Sequence, residues 1–146
     1  MIRIGTKALV LVLWLVPAAA TAEFDHDPWD RLLADYVRVF DSGRVTAVDY
    51  TALASARSQL TGYLDALAAV PRAEFDGWSR DAQLAFLINV YNSWTVDLIL
   101  SEYPEIDSIR DIGFLPGAAW RRDIVSLFGE QVSLDDVEHG MIRGWE

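Results

Sequence analysis

The chain has 146 residues, 22 of them acidic, 12 basic and none cysteine, for a formal net charge of −10. So acidic a surface repels phosphate backbones, and no basic stretch interleaves with aromatic residues, so neither nucleic acid nor anionic membrane is an expected partner. The lack of cysteine excludes disulfides, thiol chemistry and thiolate metal sites, and leaves one hydrophobic core to hold the fold.

Residues 1–22 read as an export signal. Arg3 and Lys7 supply the positive start, Ala8 to Val16 the apolar run, and Ala20-Thr21-Ala22 a small-residue cleavage site. Pro17 ends the run well short of the about 20 apolar residues that a spanning helix needs, so a cleaved leader is expected rather than an anchor. The mature chain then begins at Glu23, in a periplasm or the medium, with no transmembrane segment after cleavage. Residues 23–146 are the size of one domain.

Asp27-Pro28 resembles a helix N-cap followed by proline at the first helical position. Trp29, Leu32, Leu33, Tyr36, Val37 and Phe40 recur at helical spacing, with Gly43 as the stop, and their aromatic stripe is read as packing rather than as a sugar platform. Asp25-His26-Asp27 carries metal-friendly atoms, but it lies at a newly cut and mobile terminus, so no metal site is expected there. Val45 to Tyr50 is β-branched and extended. Leu60, Tyr63, Leu64, Leu67 and Ala68 then mark an amphipathic helix ended by Val70-Pro71.

Ser79 caps the long helix around which the chain is organised. Its stretch from Ala82 to Tyr103 is apolar almost all round, which predicts cover on most sides. Asn89, Asn92 and Ser93 share one face with Ala85. A buried amide left unpaired costs about 1–3 kcal/mol, so the asparagines are either clamps onto a segment laid across them or the floor of a ligand pocket.

Past Pro104, Gly113, Pro116 and Gly117 punctuate an irregular loop whose Ile109, Ile112, Phe114 and Trp120 are expected to pack on the core. Ile124 to Phe128 and Gln131 to Leu134 flank Gly129-Glu130, which suits a type II′ hairpin turn. Ser133-Leu134-Asp135-Asp136 is a capping box opening a last helix, with Val137, Met141 and Trp145 on its inner face. The fold class is α+β: a mostly helical single domain around one long buried helix, with a small β-hairpin. Apolar surface around Val137, Met141 and Trp145 is expected to be exposed and to promote self-association.

Four blocks in order, Val48-Asp49-Tyr50, Ala85 to Asn92, Ser108 to Ile112 and Val132 to His139, resemble the domain of unknown function numbered 547, found in secreted bacterial proteins and some plant proteins. Leu87 stands where that family more often has tryptophan. Relatives typically continue past the Glu-His helix into blocks with a cysteine and a second histidine, which are absent here. The resemblance implies no established reaction.

Glu138 and His139 are the candidate catalytic residues, and Asn89, Asn92 and Arg143 the candidate ligand-binding ones. Neighbours on an α-helix diverge by about 100°, so Glu138 and His139 do not form a dyad, whereas His139 faces Asp135 and Arg143 one turn before and after. An Asp135–His139 pair is compatible with a general base, with metal ligation or with a purely structural hydrogen bond. No nucleophile elbow, zincin motif or phosphate-cradling glycine loop occurs, no metal site is assigned and the cofactor stays unknown. Two readings follow. One is an exported hydrolase-like or transferase-like enzyme, its site formed where Asn89 and Asn92 meet the Glu138–His139 helix and completed by a further C-terminal segment. The other is a non-catalytic cell-envelope binding or structural module. A small-molecule or envelope partner is left open.

Overall fold

The computed structural model describes residues 23–145, so the leader expected over residues 1–22 lies outside the described residues. Helix α1 (Asp27–Tyr36) is capped at His26 rather than Asp27, because the Asp25 carboxylate accepts the Asp27 N–H at 2.9 Å and holds Asp27-Pro28 in the first turn. It ends four residues sooner than its apolar spacing suggests. Val37 and Val39 are β-branched, and β1 (Val37–Phe40) pairs antiparallel with β2 (Val45–Val48), Val37 opposite Val48 and Phe40 opposite Val45. The turn between them is made by Asp41–Gly43, where Ser42 and Gly43 both take positive φ.

Helix α2 (Tyr50–Ser55) starts at Asp49, whose carboxylate accepts the Ala52 N–H at 3.0 Å. Helix α3 (Arg57–Ala68) buries Leu60, Tyr63, Leu64 and Leu67 along one face and stops before Val70-Pro71. The short α4 (Arg72–Phe75) leads to α5 (Arg80–Glu102), where the Ser79 hydroxyl accepts the Ala82 N–H at 3.2 Å. The segment before α1 is seated, not loose as expected. Phe24 packs on Tyr63, Trp78 and Phe86 with ring centroids 5.3 to 6.5 Å away, and the Ser79 hydroxyl donates to Glu23 at 3.0 Å.

Helix α5 is the centre of the fold, but it is covered on one side only. Phe86, Leu87, Val90, Ser93, Leu98 and Leu100 are buried against α3, the C-terminal hairpin and the last helix. Ala85, Ile88 and Asn92 form an exposed row at helical spacing, with Ile88 41% exposed. By length and composition α5 is apolar enough to cross a membrane. Asp97 within it, ion-paired to Arg57 at 3.1 Å, and its two asparagines are side chains that hydrocarbon would penalise.

The second hairpin pairs β3 (Asp123–Leu127) with β4 (Glu130–Ser133). Leu127 faces Glu130, so the turn is Phe128-Gly129, one residue earlier than expected. With φ of 54° and 82° it has the positive-φ pair of a type I′ turn rather than the II′ form. Phe128 holds this unusual conformation because its ring packs on Phe75 at 4.9 Å and beneath the Arg72 guanidinium at 5.2 Å. The register turns Val125 and Leu127 fully inward.

Candidate functional site

The segment after β4 opens with the expected box. The Ser133 N–H donates to the Asp136 carboxylate at 2.9 Å, and the Asp136 N–H donates to the Ser133 hydroxyl at 3.1 Å. The Ser133 hydroxyl also donates to the Asp136 carboxylate at 2.6 Å, and this bond, followed by the one from the Ser133 N–H, holds the Asp136 carboxyl below its ordinary pKa. After one α-turn the chain becomes a π-helix over Asp136–Ile142, closed where the Arg143 N–H donates to the Glu138 carbonyl five residues back. Val137 is fully buried and Met141 half-buried, so this part of the apolar face expected to be exposed is inside, while the Trp145 side chain lies outside what is described; the most exposed large apolar side chains are Phe114, Leu115, Val39, Phe40 and Val45.

The wider turn changes which side chains meet. Arg143 pairs with Glu138, not with His139: its Nη2 and Nε donate to Glu138 Oε1 at 2.6 and 3.1 Å. An α-helical reading aligns positions four apart, whereas the π-turn aligns positions five apart. The Arg143 guanidinium beside it holds the Glu138 carboxyl below its ordinary range, with a smaller contribution in the same direction from Tyr91. His139 is exposed and, among the described residues, has no hydrogen-bond partner, so the Asp135–His139 pair does not form.

Tyr91, on the covered side of α5, is the residue that links the long helix to this cluster. Its hydroxyl faces the Glu138 carboxylate and the Trp120 indole N–H in loose rather than full hydrogen-bonding contact. Burial is the main reason its pKa is raised, with Trp120 opposing and Glu138 and Asp135 reinforcing the shift. The arrangement is a row, Trp120, Tyr91, Glu138, Arg143, that joins the 105–122 loop, α5 and the π-helix. Tyr91 sits inside the Asn-x-Tyr-Asn block and shares the face of Leu87, which is the signal that could have singled it out. Trp120 gives no such signal, because only the tertiary fold brings the loop over α5.

The asparagines lie elsewhere. At about 100° per residue, Asn89 leaves α5 on nearly the opposite side from Tyr91, and Asn92 a quarter-turn away. Asn92 is exposed and Asn89 half-buried, and neither side-chain amide has a hydrogen-bond partner among the described residues. The Ser93 hydroxyl turns back onto its own helix, donating to the Asn89 carbonyl at 2.6 Å. Glu138 and Arg143 are therefore brought together, and the amides form a separate open face. Among the described residues no group of three or more potential ligands is clustered for a metal ion.

Near the N-terminus, the Tyr63 hydroxyl meets His26 Nδ1 at 2.7 Å. Burial raises the Tyr63 pKa and lowers that of His26, so the hydroxyl donates to a neutral ring; Asp30 and Asp25 pull His26 the other way, less strongly. This contact is structural.

The elements that carry the row define a small α+β domain built on a long helix, a β-hairpin and a capped π-turn. Residues 75–146 match the family described as Protein of unknown function, DUF547, consistent with a partial domain of that family. The matched stretch begins at Phe75 and contains every residue of the row and both asparagines. No curated protein and no solved structure matches the chain.

Proposed function

We propose that the chain is an exported, non-catalytic module of the cell envelope that holds a polar polymer against the open face of α5. The observation that carries this reading is the amide pair Asn89 and Asn92, which has no side-chain hydrogen-bond partner among the described residues and is set beside the exposed Ala85 and Ile88. Each amide offers two donors and an acceptor with two lone pairs, which complements the amides and hydroxyls of an envelope polymer. Glu138, ionised and engaged by Arg143, serves in this reading as a brace for the π-turn rather than as a proton carrier. Export rests on the leader-like residues 1–22.

Co-sedimentation with purified insoluble cell-wall material tests the proposal. The wild-type chain should pellet, and the Asn89→Ala/Asn92→Ala double variant should stay in solution with its melting temperature unchanged. Equal behaviour of the two proteins, whether pelleting or soluble, would overturn it. A second reading, an exported hydrolase-like or transferase-like enzyme completed by a further C-terminal segment, is favoured by the meeting of Tyr91 and Glu138 next to His139. Its signature would be soluble fragments released from the same material and lost on Glu138→Gln.

A further inference from the structure

The loop between α5 and β3 frames an open cavity of about 510 Å³. Its wall is formed by Arg110, Gly113, Phe114, Pro116, Gly117 and Trp120. The chain is strongly acidic, yet among the described residues no carboxylate lines this cavity, and the one charged wall residue among them is an arginine. The Arg110 guanidinium has no ion pair or hydrogen bond to another described residue, whereas Arg38, Arg57, Arg72, Arg122 and Arg143 are all paired with carboxylates. An unpaired guanidinium with its fork of donors is a receptor for a planar anion.

The rest of the wall is flat and apolar. Phe114 is fully exposed at 107% and Leu115 beside it at 67%, a cost in water that a ring-bearing ligand would remove. The loop is held open in this shape. Gly113 has φ of 91°, and a Cβ there would lie 2.7 Å from that of Ala118; Arg121 Nη2 donates to the Pro116 carbonyl at 2.9 Å; and the Ser108–Asp111 capping box fixes the turn that carries Arg110. Trp120 is shared with the Tyr91–Glu138 row, so occupancy of the cavity touches that row, while no residue of either hairpin is among its described lining.

We propose that this cavity is a binding site for a small molecule in which a carboxylate is attached to a ring with an apolar face, the carboxylate taken by Arg110 and the ring face laid on Trp120 and Phe114. The site stands independently of the amide face on α5. Two sources share this chemistry, an aromatic acid and a sugar acid, and the experiment separates them.

The Trp120 indole N–H signal and the Gly113 and Gly117 amides would be followed by NMR during titration with indole-3-carboxylate and, separately, with glucuronate. Saturable shifts with at least one probe are expected. Arg110→Gln should weaken binding about tenfold or more without moving the melting temperature, since the guanidinium makes no contact that folding needs. The neutral carboxamide of the binding probe should lose a similar factor. The stronger of the two acids identifies the source. Absence of saturable shifts with both acids, equal binding of the carboxamide, or an unchanged affinity in Arg110→Gln would overturn the proposal. So would equal shifts with inorganic phosphate alone, because the ring would then contribute nothing.

Discussion

Phe86 and Asn92 belong to the same helix and have opposite fates. Phe86 is fully buried, with Phe24, Phe75, Trp78 and Phe128 rings around it, and Phe86→Ala should cost about 3–5 kcal/mol in a urea unfolding experiment. Asn92→Ala removes no described contact and should stay within about 0.5 kcal/mol of wild type by the same measurement. Gly113→Ala should destabilise by at least about 1 kcal/mol, since both its positive φ and the approach of Ala118 oppose a side chain. At this scale two caps were readable: Ser79 and the Ser133–Asp136 box act through neighbours three residues away, so local sequence carries the whole interaction, whereas Asp49, read as part of an extended stretch, caps α2 instead. The candidate residues Glu138 and Arg143 were readable as types but not as a pair. Tyr91 and Trp120 were not readable at all as partners of Glu138, because their meeting depends on how three separate segments stack.

The largest differences between pattern and structure concern whole elements, and each has a local cause. Val37 to Phe40 satisfies a helical spacing and a two-residue alternation equally well; pairing with Val45–Val48 decides between them. The last helix satisfies an α-helical pattern, and only its backbone shows the wider π-turn. Removal of Gly140 should restore α-helical phase while leaving Glu138 and Arg143 four residues apart, the spacing at which an α-helix brings side chains together, so the pair should survive. The carboxyl of Glu138 should then still titrate below its ordinary range when followed by NMR, and a return to that range would show that the pairing depends on the π-turn. The Phe128-Gly129 turn escaped recognition because phenylalanine is a poor predictor of positive φ; its packing on Phe75 and Arg72 supplies the reason after the fact.

Across the whole molecule, the α+β class and the organising role of α5 were legible from the long apolar run, while its open side was not, since hydropathy does not tell which neighbours a helix acquires. Acid should weaken the fold in two steps. His26 has a lowered pKa in the folded chain, so the unfolded chain binds more protons; its contribution is present above about pH 6.5 and is lost as pH falls toward the lower folded value. The depressed carboxyls of Asp136 and Glu138 add a second loss deeper in the acid range. The melting temperature should therefore decline between about pH 6.5 and 5, and His26→Gln should flatten that part of the profile. An undiminished slope in the variant would place the titrating group elsewhere. Phe24, finally, sits among Tyr63, Trp78 and Phe86 immediately after the expected cleavage site. If the leader is removed there, an error of a few residues by the peptidase would delete a wedge from the aromatic core, and miscut molecules would be open to degradation. Accurate trimming would then act as a quality gate, with the lifetime of the exported protein as its readout.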